Sequence, residues 1–246
     1  MSKWLRLAAL GMGLVTIGVA CATRRAAPPV LGPADPAEVF AAVRRREDAI
    51  LSLRARFSVT VQQDENVRRA EGVLLVKKPD RFRLRLLSPF GFTVFDYVTS
   101  GAHMRMELPL EGKRLVDDEI ATQSAFSPVD LRQAFLRGAA AFPGYCTPQA
   151  AGAEVSVECR DAPGDVRREI RIARATATVS QEISFAGDVP RVVMTFAEYR
   201  TVEGIPLPFA IELRAPARHV TMQIALRSYD LNPVLADTLF GGADAG

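Results

Sequence analysis

Apolar and polar side chains alternate along most of the chain after residue 55. Phe57, Val59 and Val61 are separated by polar residues, and the same period of two recurs in later stretches. Successive side chains of a β-strand point to opposite faces of a sheet, so this period predicts half-buried antiparallel strands with one wet face. The further strand candidates are 68–77, 81–86, 92–99, 103–108, 153–160, 166–173, 176–185, 191–200, 206–214 and 218–229.

Two helical patterns accompany the strands. Asp35 followed by Pro36 predicts a helix start, and apolar residues then recur at helical spacing for about five turns. Ser127 followed by Pro128 predicts a second helix, which Gly138 ends. About eleven strands and two helices predict a mainly β (α+β) domain, in which helices cover the concave face of one strongly curved antiparallel sheet. Such a sheet either closes on its own side chains or keeps an apolar cavity.

The charged residues argue against several functions. The chain has 31 basic and 28 acidic side chains, a net charge of +3, which is too small for a nucleic-acid footprint. The run Arg44 to Arg46 could bind phosphate, but the acids after it favour a solvated helix face. Three Cys and two His leave little for a zinc site or a nucleophile, and Asp96, Asp117 and Asp118 read as strand-end or turn acids. We expect no enzymatic activity, metal, cofactor or nucleic-acid ligand.

The first 21 residues have the layout of a bacterial export signal. Lys3 and Arg6 precede an uncharged apolar run that is short for a membrane span, and Cys21 follows it directly. A lone cysteine at this place resembles the lipobox of bacterial lipoproteins, in which the thiol is acylated. Gly18 stands where that motif usually has leucine, and an ordinary signal peptide with an incidental cysteine is the alternative. The interpretation assigns 1–20 to a lipoprotein signal peptide and Cys21 to lipid attachment.

The residues after the cysteine predict where the chain is held. Residues 21–34 contain three prolines and little apolar periodicity, which predicts a lipid anchor followed by a flexible tether. Ala22, rather than aspartate, follows the cysteine, and the resemblance to lipoprotein sorting signals then implies the outer membrane, with the protein facing the periplasm. We expect the folded domain to comprise 35–232 and a C-terminal tail to comprise 233–246.

Three stretches resemble a known family. The strand and turn from Arg81 to Gly91 resemble those of LolB, the bacterial outer-membrane lipoprotein receptor family, whose turn also combines proline, a bulky apolar residue and glycine. Asp130 to Leu136 resembles the mid-chain helix of that family, and Ile205 to Pro208 resembles its proline-containing start of a late strand. The resemblance implies an unclosed half-barrel with helices as a lid and an apolar cavity for the acyl chains of lipoproteins.

The same resemblance implies a function. In the LolB family, a soluble periplasmic carrier hands its cargo to the anchored receptor, which delivers it to the inner leaflet of the outer membrane. The implied partners are therefore lipoprotein acyl chains, a periplasmic lipoprotein carrier and that leaflet, and we expect a monomer. Because fold alone does not determine function, an anchored lipid-binding or envelope-scaffold domain with a different amphiphilic ligand or protein partner is the alternative.

The turn after residue 87 supplies a candidate membrane contact. Pro89 and Gly91 favour a tight turn that presents Phe90 at its tip. By resemblance, Phe90 matches the bulky apolar residue that the family uses in membrane insertion. The alternative is that Phe90 folds back onto the sheet with Phe92 as ordinary core.

Apolar strand residues are candidates for the acyl-chain cavity. Flexible methionine side chains suit a surface that repacks around varied chains, although plain core filling explains them equally well. The alternating arginines at 81, 83 and 85 could meet lipid head groups, but a solvated outer strand face is the favoured interpretation. The predicted cavity residues are Phe82, Leu84, Leu86, Met104, Met106, Met222 and Ile224.

Two cysteines remain once Cys21 is acylated. In an oxidising periplasm, Cys146 and Cys159 are a natural disulfide pair that would close a modest loop. Two free buried thiols are the alternative.

Overall fold

The computed structural model describes residues 35–117, 126, 128–135, 145–160 and 167–241. The predicted signal peptide, Cys21, the tether, Asp118, Ser127 and Gly138 lie outside these residues. Among the described residues, two helices, α1 (Pro36–Asp48) and α2 (Pro128–Phe135), accompany thirteen strands, and neither helix is long and apolar enough to span a bilayer. The strands are β1 (Ser52–Gln63), β2 (Asn66–Lys77), β3 (Arg81–Leu87), β4 (Thr93–Ser100), β5 (His103–Leu108), β6 (Lys113–Val116), β7 (Tyr145–Ala151), β8 (Glu154–Arg160), β9 (Arg167–Ala173), β10 (Thr178–Ala186), β11 (Val189–Val202), β12 (Ile205–Ala215) and β13 (Val220–Leu231).

The strands form one antiparallel sheet in the order β6-β5-β4-β3-β2-β1-β13-β12-β11-β10-β9-β8-β7. We call β1–β6 the first arm and β7–β13 the second arm, and the arms join where Leu53 of β1 pairs with Leu231 of β13. Because β6 and β7 are opposite edges of the sheet, the half-barrel is unclosed, as expected. The expected number of about eleven strands is too small, since both edge strands were missed. An edge strand needs no continuous apolar face, and Pro148 in β7 is a residue that edges tolerate.

Helix α1 begins as its sequence predicts and ends earlier. The Asp35 side chain accepts a hydrogen bond from the Ala37 N–H at 3.0 Å, and Val39 and Val43 are buried. The predicted five turns are wrong, because the helix stops at Asp48 and Leu53 lies in β1. Asn232, far along the chain, accepts hydrogen bonds from the N–H groups of residues 51 and 52 and thereby directs this backbone into the strand.

The C-terminal segment 233–241 covers part of the outer face of the first arm. Leu235 and Phe240 are buried against Val98 of β4 in a small second apolar core. The Lys77 ammonium donates to the Leu235 carbonyl at 3.2 Å, and Arg83 donates to the Leu239 carbonyl at 2.8 Å. Residues 233–241, inside the predicted tail, are therefore fixed to the sheet.

The buried carboxylate on this outer face is Asp96. The interpretation of Asp96 as a strand-end or turn acid is wrong, since it lies within β4 and is 7% exposed, whereas Asp117 does lie in a turn. Arg83 donates to both Asp96 oxygens, at 2.9 and 2.6 Å, and Arg85 donates to Oδ2 at 2.8 Å. The arginines of β3 therefore lie on the outer face of the sheet, as the favoured interpretation predicts. They form ion pairs there, since Arg83 and Arg85 pair with Asp96 and Arg81 pairs with Asp237.

This ion pair predicts an acid-sensitive contribution to stability. Burial alone would raise the pKa of Asp96, but the hydrogen bonds from Arg83 and Arg85 outweigh it and hold that pKa below its ordinary value. The folded pKa is thus below the unfolded one, so the contribution is present above the unfolded pKa and is lost as pH falls through the folded pKa. Asp96→Asn should cost about 2 kcal/mol at neutral pH and little in acid. Urea denaturation from neutral to acid pH measures the difference in stability between the wild type and the variant. A difference that does not change with pH would contradict the prediction.

Candidate functional site

Helix α2 lies across the concave face and is fastened to both arms of the sheet. Arg191 of β11 donates from Nη1 to Asp130 Oδ2 at 2.8 Å and from Nη2 to Oδ1 at 2.6 Å. On the other side, the guanidinium of Arg132 donates to the carbonyl of Pro79, in the turn between β2 and β3. The helix therefore bridges the two arms over the interior of the half-barrel.

The underside of α2 is apolar and packs on the sheet. Leu131, Ala134 and Phe135 are buried, and the Phe135 ring centroid lies 5.2 Å from that of Phe57 on β1. The Phe57 ring in turn lies over Gly72 on the neighbouring strand β2. This stack of helix, ring and glycine fills the centre of the concave face.

A narrow cleft opens at the Phe135 end of α2. Its cavity volume is about 40 Å³, and we call it the Phe135 cleft. Arg46 at its rim donates to the carbonyls of Thr176 and Ala177 at 3.2 and 3.0 Å, while Arg44 is exposed. The apolar lining comes from α1, α2 and the second arm and includes Val43, Ile50, Phe135, Val179 and Leu207.

The predicted cavity residues lie elsewhere. Four of them are fully buried in the main core, and three are half-buried against it; none lines the Phe135 cleft. With α2 in place, this part of the interior belongs to a packed core, so their contact with an acyl chain stays a prediction. The buried four are Phe82, Leu84, Met106 and Ile224, and the half-buried three are Leu86, Met104 and Met222.

Charged residues also lie inside the concave face, and the sequence analysis missed them. Arg168 of β9 and Glu182 of β10 are buried with their charged atoms 3.7 Å apart, and Arg191 Nη2 donates to Ser184 Oγ at 3.2 Å. With Asp130 they form what we call the charge cluster. In β9, Arg168 stands two residues before the first of two buried isoleucines, so the period of two predicts that it faces inward with them. A buried charge is tolerated only where it is paired, so the cluster is a specific arrangement.

The turn between β3 and β4 presents two aromatic rings to solvent. Phe90 is 84% exposed and Phe92 is 67% exposed, so neither belongs to the core. Gly91 has φ +82°, and its N–H donates to the Ser88 carbonyl at 2.9 Å, while the Phe92 N–H donates to Ser88 Oγ at 3.2 Å. This turn, which we call the tip, therefore holds the adjacent rings outward, and exposed apolar patches of this kind mark contacts.

Cys146 and Cys159 are joined by a disulfide between β7 and β8. They are directly opposite each other in the antiparallel pair, with Cα atoms 4.1 Å apart. The bond joins the edge strand to its neighbour, and α1 contacts both of these strands.

Tyr97 is a polar residue on the concave side whose hydroxyl has no hydrogen-bond partner among the described residues. Burial raises the pKa of the Tyr97 phenol, which therefore stays protonated. Removing an unsatisfied buried hydroxyl removes its desolvation cost, so Tyr97→Phe should stabilise the protein by about 1 kcal/mol. Tyr199→Phe is the matched control: the Tyr199 hydroxyl donates to the Val179 carbonyl at 2.7 Å, and its loss should destabilise by a similar amount. Urea denaturation of both variants tests this, and a loss in Tyr97→Phe would show that its hydroxyl has a partner.

The matches to known proteins are with solved structures. No family model matches the chain, and no curated protein matches it significantly. A DUF1329 family protein from Desulfovibrio piger is 13% identical with a TM-score of 0.66, covering 84% of this chain and 98% of that one. A LolA superfamily protein from Nitrosomonas europaea is 11% identical with a TM-score of 0.60, covering 82% and 96%.

A third solved structure has the same architecture. A domain described as an outer-membrane lipoprotein-sorting protein, from Vibrio parahaemolyticus, is 10% identical with a TM-score of 0.61 and covers 84% of this chain and 97% of that one. At these identities the likeness shows the fold. The chain thus has a LolA-like fold, a broader group than the LolB family that its sequence resembles.

Proposed function

We propose that this chain is an outer-membrane-anchored lipoprotein that binds the acyl chains of lipoproteins beneath α2 and helps to insert them into the outer membrane. The observation that carries the proposal is α2 itself, an eight-residue helix whose apolar underside lies on the apolar concave face of an unclosed sheet. Displacing so short a helix uncovers a continuous apolar surface. The LolA-like fold, found also in a lipoprotein-sorting domain, supports the same function.

Exchange between the helix and a ligand explains how such a site could both load and release. An acyl chain that replaces α2 covers the surface around Phe57 that Leu131 and Phe135 cover in the closed protein. Each buried methylene contributes about 0.8 kcal/mol, so several methylenes offset the loss of two large apolar side chains. The net free energy of loading is then the small difference between two large terms, which suits a protein that passes its cargo on.

The tip gives a route for delivery. Phe90 and Phe92 lie in the turn after β3 and before β4. The inner faces of these two strands carry Leu84 and Tyr97 on the concave side of the sheet. In the proposal the exposed rings enter the inner leaflet while the cargo lies along the same two strands. Lipid attachment at Cys21 and a tether of 13 residues, which spans roughly 40 Å when extended, would keep the domain at that membrane.

A transfer assay tests the proposal. Full-length protein in outer-membrane lipid vesicles is given lipoprotein bound to its periplasmic carrier, and cargo uptake and insertion are measured separately. Phe90→Glu should accept cargo normally but insert it about tenfold more slowly, since a carboxylate at the tip opposes membrane entry. Val234→Glu, at an exposed apolar site that follows β13 at the opposite end of the strands from the tip, is the matched control and should behave as wild type.

Two outcomes would contradict the proposal in different ways. Equal insertion by Phe90→Glu and wild type would remove the tip from the mechanism. Failure of the wild type to take any lipoprotein from the carrier would exclude the receptor function. Uptake of other lipids in that case would favour the second candidate, an anchored protein for a different amphiphile, for which the charge cluster is the specific supporting observation.

A further inference from the structure

We propose that the charge cluster binds the anionic head group of an amphiphile, and that Asp130 occupies this position in the closed protein. The inference rests on one premise of the proposed function, that an acyl chain lies beneath α2, and it specifies by its charge the amphiphile of the second candidate. The ligand class is a fatty-acid-like or phospholipid-like molecule with a carboxylate or phosphate.

The geometry around Asp130 is that of a bound anion. Both terminal nitrogens of Arg191 donate to its two carboxylate oxygens, at 2.8 and 2.6 Å, and the carboxylate is fully buried. Guanidinium recognises carboxylate and phosphate in this same two-bonded manner. The Arg191 side chain is itself 37% exposed, so an incoming anion can contact it before Asp130 leaves.

The distribution of charge over the two elements makes the site selective. Within the cluster, the sheet contributes Arg168, Glu182 and Arg191, and Arg168 faces Glu182 at 3.7 Å. The counter-charge of Arg191 is supplied by α2, through Asp130. If α2 moves aside for a neutral ligand, Arg191 loses that carboxylate in partly apolar surroundings, which is costly. An anionic ligand restores the pair, and α2 then leaves without that penalty.

The cleft and the cluster are placed for one amphiphilic molecule. Asp130 is at one end of α2, and Phe135, five residues and about 7.5 Å along the helix axis, borders the Phe135 cleft. A head group at Arg191 would leave its chain to run under the helix toward the apolar lining of that cleft. A polar end and an apolar end beneath a single displaceable helix define an amphiphile site.

Matched ligands test the charge requirement. Full-length protein in phosphatidylcholine nanodiscs is titrated with oleate, oleyl alcohol and oleylamine at mildly alkaline pH, with empty nanodiscs as reference for partitioning. The three probes share one chain, so differences report on the head group. Oleate should bind about tenfold more tightly than oleyl alcohol, and oleylamine should bind most weakly.

Variants locate the effect. Asp130→Asn removes the internal competitor and keeps both guanidiniums, so oleate affinity should rise about tenfold with oleyl alcohol unchanged. The double variant Asp130→Leu/Arg191→Met should bind oleate and oleyl alcohol alike. Asp96→Asn, which changes a buried carboxylate on the outer face, should keep the selectivity of the wild type.

The outcomes separate this inference from the function on which it rests. Equal affinity of the wild type for oleate and oleyl alcohol would overturn the anionic head group and leave acyl-chain binding intact. Binding of none of the three probes would overturn the proposed function itself. Inorganic phosphate alone should show no saturable binding; if it binds as tightly as oleate, the cluster is a site for free anions and the amphiphile is overturned.

Discussion

Replacing Arg191 with methionine should destabilise the protein by about 3 kcal/mol, the low end of the cost of breaking a buried ion pair, because the Arg191 side chain is 37% exposed. Asp130 is fully buried and would lose two short hydrogen bonds, at 2.8 and 2.6 Å. Asp130 lies on α2, and lifting this helix from the sheet would return the carboxylate to water, so the helix should open before the strands do. Urea denaturation measures the total loss, and hydrogen exchange in α2 should accelerate beyond that in the central strands.

A double variant separates the charge from the packing. Asp130→Leu/Arg191→Met replaces the pair by apolar side chains and should recover most of the lost stability, because the Asp130 carboxylate is removed together with its guanidinium partner. Similar stability of the single and the double variant would instead assign the loss to other contacts of Arg191, such as its hydrogen bond to Ser184.

Gly72→Ala should be similarly damaging, by about 3 kcal/mol, although it adds a single methyl group. A Cβ at Gly72 would lie 2.1 Å from the Cζ atom of Phe57, far inside contact distance. The ring has nowhere to turn, since it is 2% exposed and packs on Phe135. The variant should therefore also loosen α2, which hydrogen exchange in that helix would detect.

The Phe57→Leu background gives the control for this variant. A shorter side chain at residue 57 vacates the space above Gly72, so Gly72→Ala should cost clearly less there than in the wild type. Chemical denaturation of the four proteins of this cycle measures the coupling. An equal cost in both backgrounds would show that the strain lies in the backbone of β2 and not against the ring.

Local patterns predict most of this fold, because each signal lies within a few residues. The period of two finds eleven strands, and Asp35 with Pro36 finds the start of α1. The pattern does not predict the edge strands, since an edge strand needs no alternation of apolar and polar residues. It also does not predict the end of α1, because Asn232, far along the chain, determines it. The exposed Phe90 is predictable for the same local reason, since the turn residues flank it.

The candidate site is harder to predict, because its partners are distant in sequence. Asp130 is recognisable as an acid in the first turn of a helix, but its partner Arg191 is 61 residues later and is identified only by the fold. In β10, a register shift between Val179 and Gln181 changes which residues face inward and brings Glu182 opposite Ile170. A period-two pattern does not continue through such a shift, so the sequence does not predict that Glu182 faces inward.

The junction of the two arms has a consequence for how the chain reaches its native state. Leu53 pairs with Leu231, so the central seam of the sheet joins its first strand to its last. During synthesis β13 emerges after all the other described strands, and until then both β1 and β12 expose a long unpaired edge. Pairings this distant in sequence fold slowly, and open edges invite association. The last strand to emerge is therefore the one that joins the two arms into a single sheet.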